Sequence, residues 1–194
     1  LTFDPHPSRF FRPDDPVPQI YPRETKTMLL GRLGLDFAIF QPFDAELAAR
    51  TAGEFVDALA TAFPTLHAIA VGENFRFGRG RTGDVPLLVE LAAPRGITVL
   101  STERVRLNGE PISSTRIRGE LRSGGITNVN ELLGHPYTAT GTVHAGRGLG
   151  RSLGFPTHNL PWAPECPPPF GVYTARVLLP GDRTGRPAVA NYGV

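Results

Sequence analysis

The sequence contains one cysteine, one tryptophan and one lysine. With Cys166 alone, neither an internal disulfide nor a multi-cysteine zinc site can form. The histidines, His6, His67, His135, His144 and His158, show no metal-ligand spacing, and a lone histidine is more often structural than catalytic. No apolar run approaches the roughly 18–20 residues that a membrane span needs, and no signal-peptide pattern opens the sequence. A soluble, cytoplasmic protein is therefore expected. An excess of one charge sign is also missing: 20 basic against 18 acidic residues give a net charge of +2. That balance offers no global case for nucleic acid or an anionic membrane. The absence of G-x-x-x-x-G-K-[ST] excludes a P-loop, and no internal repeat is present. The sequence starts with Leu-Thr-Phe rather than Met and stops in a strand-like Ala-Val-Ala-Asn-Tyr-Gly-Val, so a window from a longer protein is expected.

What is present suits a folded enzyme. The 194 residues, 40% hydrophobic and 20% charged, suffice for one full domain and part of a second at roughly 100–200 residues per domain. Leu1–Phe3 reads as a strand and residues 4–22 as a proline-rich loop. A helix is predicted from Glu24 to Leu33, stopped by Gly34. Leu35–Phe40 reads as a buried strand, and Ala45–Phe63 as a helix whose second half Thr51 can cap. Strand His67–Val71, helix Val85–Ala93 and strand Ile97–Leu100 continue the alternation. Such a rhythm predicts a parallel sheet covered on both faces. It changes near residue 135. Helices Thr115–Leu121 and Val129–Leu133 lead into a β-branched run from Pro136. Strands at Val172–Leu179 and Ala188–Val194 then suggest a small antiparallel barrel. A boundary is expected near Gly134–Pro136. Bases and acids number 15 and 16 before Pro136, but five and two after it.

Three segments can carry chemistry. In Ile112-Ser113-Ser114-Thr115-Arg116-Ile117-Arg118, three hydroxyls stand where a helix should begin and two arginines follow. Helix amino ends carry partial positive charge, so arginines there work against the dipole unless an anion sits among them. Phosphate fits, although an ordinary serine or threonine cap beside surface arginines explains the residues equally well. Second, Gly146, Gly148, Gly150 and Gly154 let main chain approach a ligand, while Thr157 and Asn159 offer oxygens suited to a magnesium-bound phosphate. The spacing is not that of a dinucleotide-binding turn, and a ligand-free barrel turn is the simpler reading. Third, Val71-Gly72-Glu73-Asn74-Phe75-Arg76-Phe77-Gly78 follows a strand at the carboxyl edge of the sheet, where open α/β sheets bind ligands. Phe75 and Phe77 could wall an aromatic ligand, or the segment could be a solvated loop.

In order and spacing, these segments resemble the bifunctional bacterial riboflavin kinase/FMN adenylyltransferases. The match runs through Thr-Phe-Asp-Pro-His-Pro (2–7), Val-Gly-Glu-Asn-Phe-Arg-Phe-Gly (71–78), Ile-Ser-Ser-Thr-Arg-Ile-Arg (112–118), Leu-Leu-Gly-His-Pro-Tyr (132–137) and Gly-Arg-Ser-Leu-Gly-Phe-Pro-Thr-His-Asn (150–159). Gly-Val-Tyr (171–173) and Val-Ala-Asn-Tyr-Gly (189–193) extend it. The resemblance implies a Rossmann-like α/β nucleotidyltransferase domain over 1–134 and an incomplete antiparallel β-barrel kinase domain over 135–194. The kinase half would phosphorylate riboflavin to FMN with ATP. The other half would join FMN to the AMP part of a second ATP, releasing pyrophosphate. Ser113, Ser114, Thr115, Arg116 and Arg118 would hold the ATP phosphates, and Asn74 with Phe75 and Phe77 would lie in the FMN or ATP pocket. Thr157 and Asn159 would contact Mg2+ and ATP, under a loop made by Gly146, Gly148, Gly150 and Gly154. Two family features are missing: an H-x-G-H motif ahead of the matched region and the glutamate base of the kinase beyond it. His158 stands where the family usually has alanine. These 194 residues alone are accordingly expected to be impaired, or to act as a non-catalytic flavin- or nucleotide-binding module. A single-function nucleotidyltransferase for another mononucleotide is the other enzyme reading. Partners are riboflavin, FMN and ATP, with no nucleic acid and no membrane.

Overall fold

The computed structural model describes residues 1–144, 154 and 157–193. The chain divides into two compact units. The first comprises Leu1–Val17 and Thr27–Ile112, and the second Pro18–Lys26 and Ser113–Val194.

In chain order the elements of the first unit begin with β1 (Thr2–Phe3) and α1 (Pro7–Phe11). Helix α2 (Arg23–Arg32), of which Arg23–Lys26 belong to the second unit, follows, then β2 (Phe40–Gln41), α3 (Ala45–Ala49), α4 (Ala52–Ala62) and β3 (Ala68–Gly72). Helix α5 (Val85–Ala92), β4 (Thr98–Thr102), β5 (Arg106–Leu107) and β6 (Glu110–Pro111) complete it. Local chemistry sets the helix starts. Asp44 and Asp84 accept from Leu47 and Leu87 N–H at 2.9 and 3.0 Å. Thr51 and Glu54 form a reciprocal capping box on α4, satisfying two amides that the helix leaves open. The stop after α2 falls at Gly34, whose φ of +82° suits glycine.

Strands β3 and β4 pair in parallel from Ala68↔Thr98 to Gly72↔Thr102. Their inward residues Ile69, Val71 and Val99 pack against a core of Ala52, Val56, Phe77 and Leu88. Val56 and Leu88 are completely buried, and side chains of this size each stabilise a fold by about 1.5–3 kcal/mol. Strands β1 and β2 form a second parallel pair, and β5 and β6 a short antiparallel one.

Four expectations need correction. The stretch 4–22 is not all loop: Pro7 occupies the first turn of α1, and the His6 ring accepts from Ser8 N–H at 3.1 Å. The run Leu35–Phe40 is not a buried strand, since Leu35 and Phe37 are 53% and 85% exposed. Strand β2 starts only at Phe40, the last residue of the run, which pairs with Thr2. The single helix over 45–63 is two, because Arg50 turns to extended backbone (φ −62°, ψ 131°) before Thr51 starts α4. Finally, β3–β4 is covered on one face only among the described residues: Ala68, Ala70 and Leu100 point outward and are exposed.

The second unit holds α6 (Ser114–Ser123), α7 (Ile126–Leu133), β7 (Gly171–Val177) and β8 (Arg186–Tyr192). Ile117 and Leu121 of α6 and Val129 and Leu132 of α7 are its buried aliphatic residues. Gly124, at φ +81°, makes the turn between the two helices. Strands β7 and β8 form one antiparallel hairpin, Gly171↔Tyr192 to Val177↔Arg186. Among the described residues the sheets are all two-stranded and none closes into a barrel. Among the described residues the β-branched run after Pro136 leads to one bridge, His144↔Asn159. No helix of the described residues is long and apolar enough to cross a membrane.

Candidate functional site

Helix α6 begins where its hydroxyls predict. Ser113 is extended (φ −148°, ψ 152°), and its Oγ accepts from Arg116 N–H at 3.2 Å. This bond leaves the Ser113 hydroxyl proton free to donate. Ser114 and Thr115 are exposed in the first turn, where amides lack acceptors within the helix. Hydroxyls, amides and positive charge thus share one helix end, which can bind a polyanion.

Arg118 lies one turn further on and is half-buried. Its Nε–H donates to the Pro18 carbonyl at 2.6 Å. Burial lowers its pKa, against an opposing influence from Cys166, and Arg122 adds to the lowering; an arginine remains charged regardless. The fork of terminal nitrogens stays suited to bidentate phosphate contact. The Pro18 contact was not foreseeable from local pattern, because 100 residues separate the partners.

Cys166 is 2% exposed. Burial raises its thiol pKa, against Arg122 and Arg118, which lower it. A protonated, enclosed thiol is a poor nucleophile. Iodoacetamide should therefore alkylate Cys166 far more slowly in the folded protein than in guanidinium, as read by intact-mass spectrometry; equal rates would contradict this burial.

The segment after β3 separates two phenylalanines that look alike in the sequence. Phe77 is 6% exposed and belongs to the core. Phe75 stacks on it with ring centres 5.5 Å apart and planes 12° apart, and is half-buried. Asn74 is exposed on the turn closed by Phe75 N–H to Gly72 C=O at 2.9 Å. Asn74 and Phe75 are therefore the residues of this segment that a ligand can reach, with Phe77 as their support. Arg76 pairs with Asp84 at 3.1 Å. The Leu87 N–H bond holds the Asp84 pKa down, with Arg76 adding to the effect.

In the second unit Thr157 and Asn159 are both exposed. The Asn159 carbonyl accepts from His144 N–H at 2.9 Å, which fixes its main chain and leaves the side-chain amide outside the bridge. Gly154 has φ +81°; Gly146, Gly148 and Gly150 lie outside the described residues. No group of three or more His, Cys, Asp or Glu side chains among the described residues could hold a metal.

Comparison with known proteins adds the following. Residues 1–116 match the family model for FAD synthetase, and residues 133–194 that for riboflavin kinase. The bifunctional riboflavin kinase/FMN adenylyltransferase of Escherichia coli (strain K12) is 36% identical over 193 residues, 100% of this chain and 61% of that protein. The protein of the same description from Pseudomonas fluorescens is 34% identical over 195 residues, with the same coverage of 100% and 61%. An FAD synthetase of Listeria monocytogenes is 36% identical over 151 residues, 77% of this chain and 61% of its own length. A crystal structure described as a macrolide-efflux protein from Streptococcus pneumoniae superposes with a TM-score of 0.83 at 27% identity, over 98% of this chain and 62% of its own. The chain thus spans about three-fifths of the length of the curated relatives it matches.

Proposed function

The chain belongs to the FAD synthetase family, and from that premise we propose that a polypeptide of the relatives' full length carrying it converts riboflavin to FMN and FMN to FAD. The ATP γ-phosphoryl group passes to the riboflavin 5′-hydroxyl, leaving ADP. An FMN phosphate oxygen then attacks the α-phosphorus of a second ATP, and the bond to the β-phosphate oxygen breaks to release pyrophosphate. Both steps depend on positioning and charge neutralisation more than on covalent chemistry by the protein.

The observation that carries this reading is the amino end of α6. Ser113 caps it and Arg118 is fixed one turn on by the Pro18 carbonyl, inside the segment 112–118 that resembles the family's. Ser113, Ser114, Thr115 and Arg116 hold the triphosphate in the adenylylation step, and Arg118 neutralises charge on the leaving pyrophosphate. Asn74 and Phe75 line the FMN or ATP pocket, with Phe77 behind them. The boundary between the two activities falls near Gly134–Pro136, a reading supported by family matches that end at 116 and begin at 133. The kinase domain closes as a barrel, of which β7 and β8 supply two strands. The setting is cytoplasmic.

Thr157 and Asn159 supply two exposed oxygens, and among the described residues no carboxylate cluster stands with them. That sparse donor set fits Mg2+, which keeps several waters and takes phosphate oxygens as its other ligands. When bound, the ion would neutralise charge on the ATP phosphates. The protein's own share is to orient the nucleotide through the Thr157 hydroxyl and the Asn159 side chain, the latter on main chain pinned to His144.

Incubation with riboflavin, ATP and Mg2+, followed by chromatographic separation of the fluorescent flavins, tests the proposal. FMN and then FAD are expected in succession, and no flavin conversion would overturn it. Thr157→Ala should reduce FMN formation by about 100-fold, the usual scale for one transition-state ligand. Conversion of supplied FMN to FAD should stay within about twofold. Equal loss of both steps would remove Thr157 from the kinase site.

A further inference from the structure

Residues Pro18–Lys26 precede most of the first unit in sequence yet belong to the second. They form a strap held there at several points. Gln19 N–H donates to Glu165 Oε2 at 2.8 Å. The Tyr137 hydroxyl donates to the Ile20 carbonyl at 3.3 Å. Thr25, fully buried, meets the Thr140 hydroxyl at 2.6 Å. Tyr21 stacks on His135 and Tyr137, with ring centres 6.1 and 5.3 Å away and planes within 27° of parallel. The first residue of the strap, Pro18, supplies the carbonyl that accepts from Arg118 Nε–H.

We propose that Tyr21 is a positioning residue for Arg118. A long arginine side chain has many rotamers, and a single fixed acceptor on Nε selects the one that aims its terminal nitrogens together. The acceptor is a main-chain oxygen, so its place depends on how firmly the strap is docked. Proline has no N–H and a fixed φ, so Pro18 follows the strap as a rigid end. Three residues along, Tyr21 is its most enclosed aromatic side chain, at 9% exposure.

The ring does this work, and the hydroxyl does not. The Tyr21 hydroxyl is buried with no hydrogen-bond partner among the described residues; the Thr138 main chain lies near it without meeting hydrogen-bond geometry. Burial pushes its pKa up to about 12, against a lowering by the Thr138 main chain. An unsatisfied buried hydroxyl costs stability, so phenylalanine should serve at this position at least as well. Leucine fills much of the space without stacking. That Arg118 meets phosphate rests on the function proposed above; that Tyr21 sets its guanidinium does not.

The test follows the Arg118 Nε–Hε signal by NMR in the 15N-labelled full chain, assigned by its loss in Arg118→Lys. Trp162 emission reports whether the second unit is intact, since Trp162 touches Tyr137 and Tyr192. In Tyr21→Phe the signal should stay in place and exchange with water at the native rate. In Tyr21→Leu it should move and exchange about tenfold faster, the scale of one lost hydrogen bond to a charged group. Affinity for inorganic pyrophosphate should fall by a similar factor in Tyr21→Leu and hold in Tyr21→Phe. Native Trp162 emission with an unmoved Nε–Hε signal in Tyr21→Leu would overturn the proposal. Should Tyr21→Leu unfold, Tyr21→Met decides: its flexible side chain fills the site without stacking on His135 and Tyr137, and unchanged exchange of the Arg118 signal would again overturn the proposal. Failure of the native protein to bind pyrophosphate would count against the phosphate role of Arg118, while the NMR signal would still decide the role of Tyr21.

Discussion

Replacing Gly78 by alanine should destabilise the first unit by about 3 kcal/mol, from roughly 1–3 kcal/mol of backbone strain and a similar overpacking term. Gly78 has φ +71° and ψ 169°, a region closed to residues with a side chain. A Cβ there would come within 2.7 Å of Ala52 N and 2.9 Å of Ala52 Cα. Both are main-chain atoms in the first turn of α4, so neither can turn aside. The loop would have to lift, straining the Arg79 N–H bond to the Arg50 carbonyl at 2.6 Å. Phe77, one residue before, would leave the core with it. Against total stabilities of roughly 5–15 kcal/mol, such a change is large. All four tyrosines and the tryptophan lie in the second unit, so the effect should appear as faster amide exchange at Val56 and Leu88, by about 100-fold. Gly53→Ala is the opposite control. Its Cβ meets nothing within 4 Å, and a helical glycine-to-alanine change gains about 0.5–1 kcal/mol. Native exchange in Gly78→Ala would contradict the close approach of this loop to α4.

The contrast between these glycines marks what a one-dimensional reading reaches. Thr51-x-x-Glu54, Asp84, Ser113 and Gly34 act on amides or carbonyls within four residues, so the helix ends they set are legible locally. The run 35–40 is as apolar as a buried strand, yet Leu35 and Phe37 are exposed and β2 starts only at Phe40; apolar composition alone does not say which residues find a packing partner. Phe75 and Phe77 share an alternating pattern that separates neither wall from core; only the packing of Ala52, Val56 and Leu88 around Phe77 does so. The same limit applies to the proposed anion site. Its hydroxyls and arginines stand out because charge at a helix amino end needs a reason. The strap proposed to orient Arg118 is hidden in a proline-rich stretch without periodicity, and its hydrogen bonds to Arg118, Thr140, Tyr137 and Glu165 each span 100 residues or more.

Arg118→Ala should lower FMN adenylylation about 100-fold while leaving riboflavin phosphorylation within about twofold, measured in a polypeptide of the relatives' full length. As the α-phosphorus passes to the FMN oxygen, negative charge builds on the departing pyrophosphate, and a half-buried guanidinium stabilises that charge more than it stabilises bound ATP. The loss should therefore fall on kcat more than on KM. Charge also builds on the departing ADP in the kinase step, but that step belongs to the residues matching the riboflavin kinase family, where Thr157 and Asn159 are proposed to serve it. Arg118→Lys should recover part of the rate, since lysine keeps the charge but cannot both bond Pro18 and present a fork. Native Trp162 emission would show that the second unit remains folded in both variants. A rise in KM with kcat unchanged would make Arg118 a ground-state ATP contact. Parallel loss of both activities would mean that the residue acts by holding the strap and its neighbours together, and not on the transferring group.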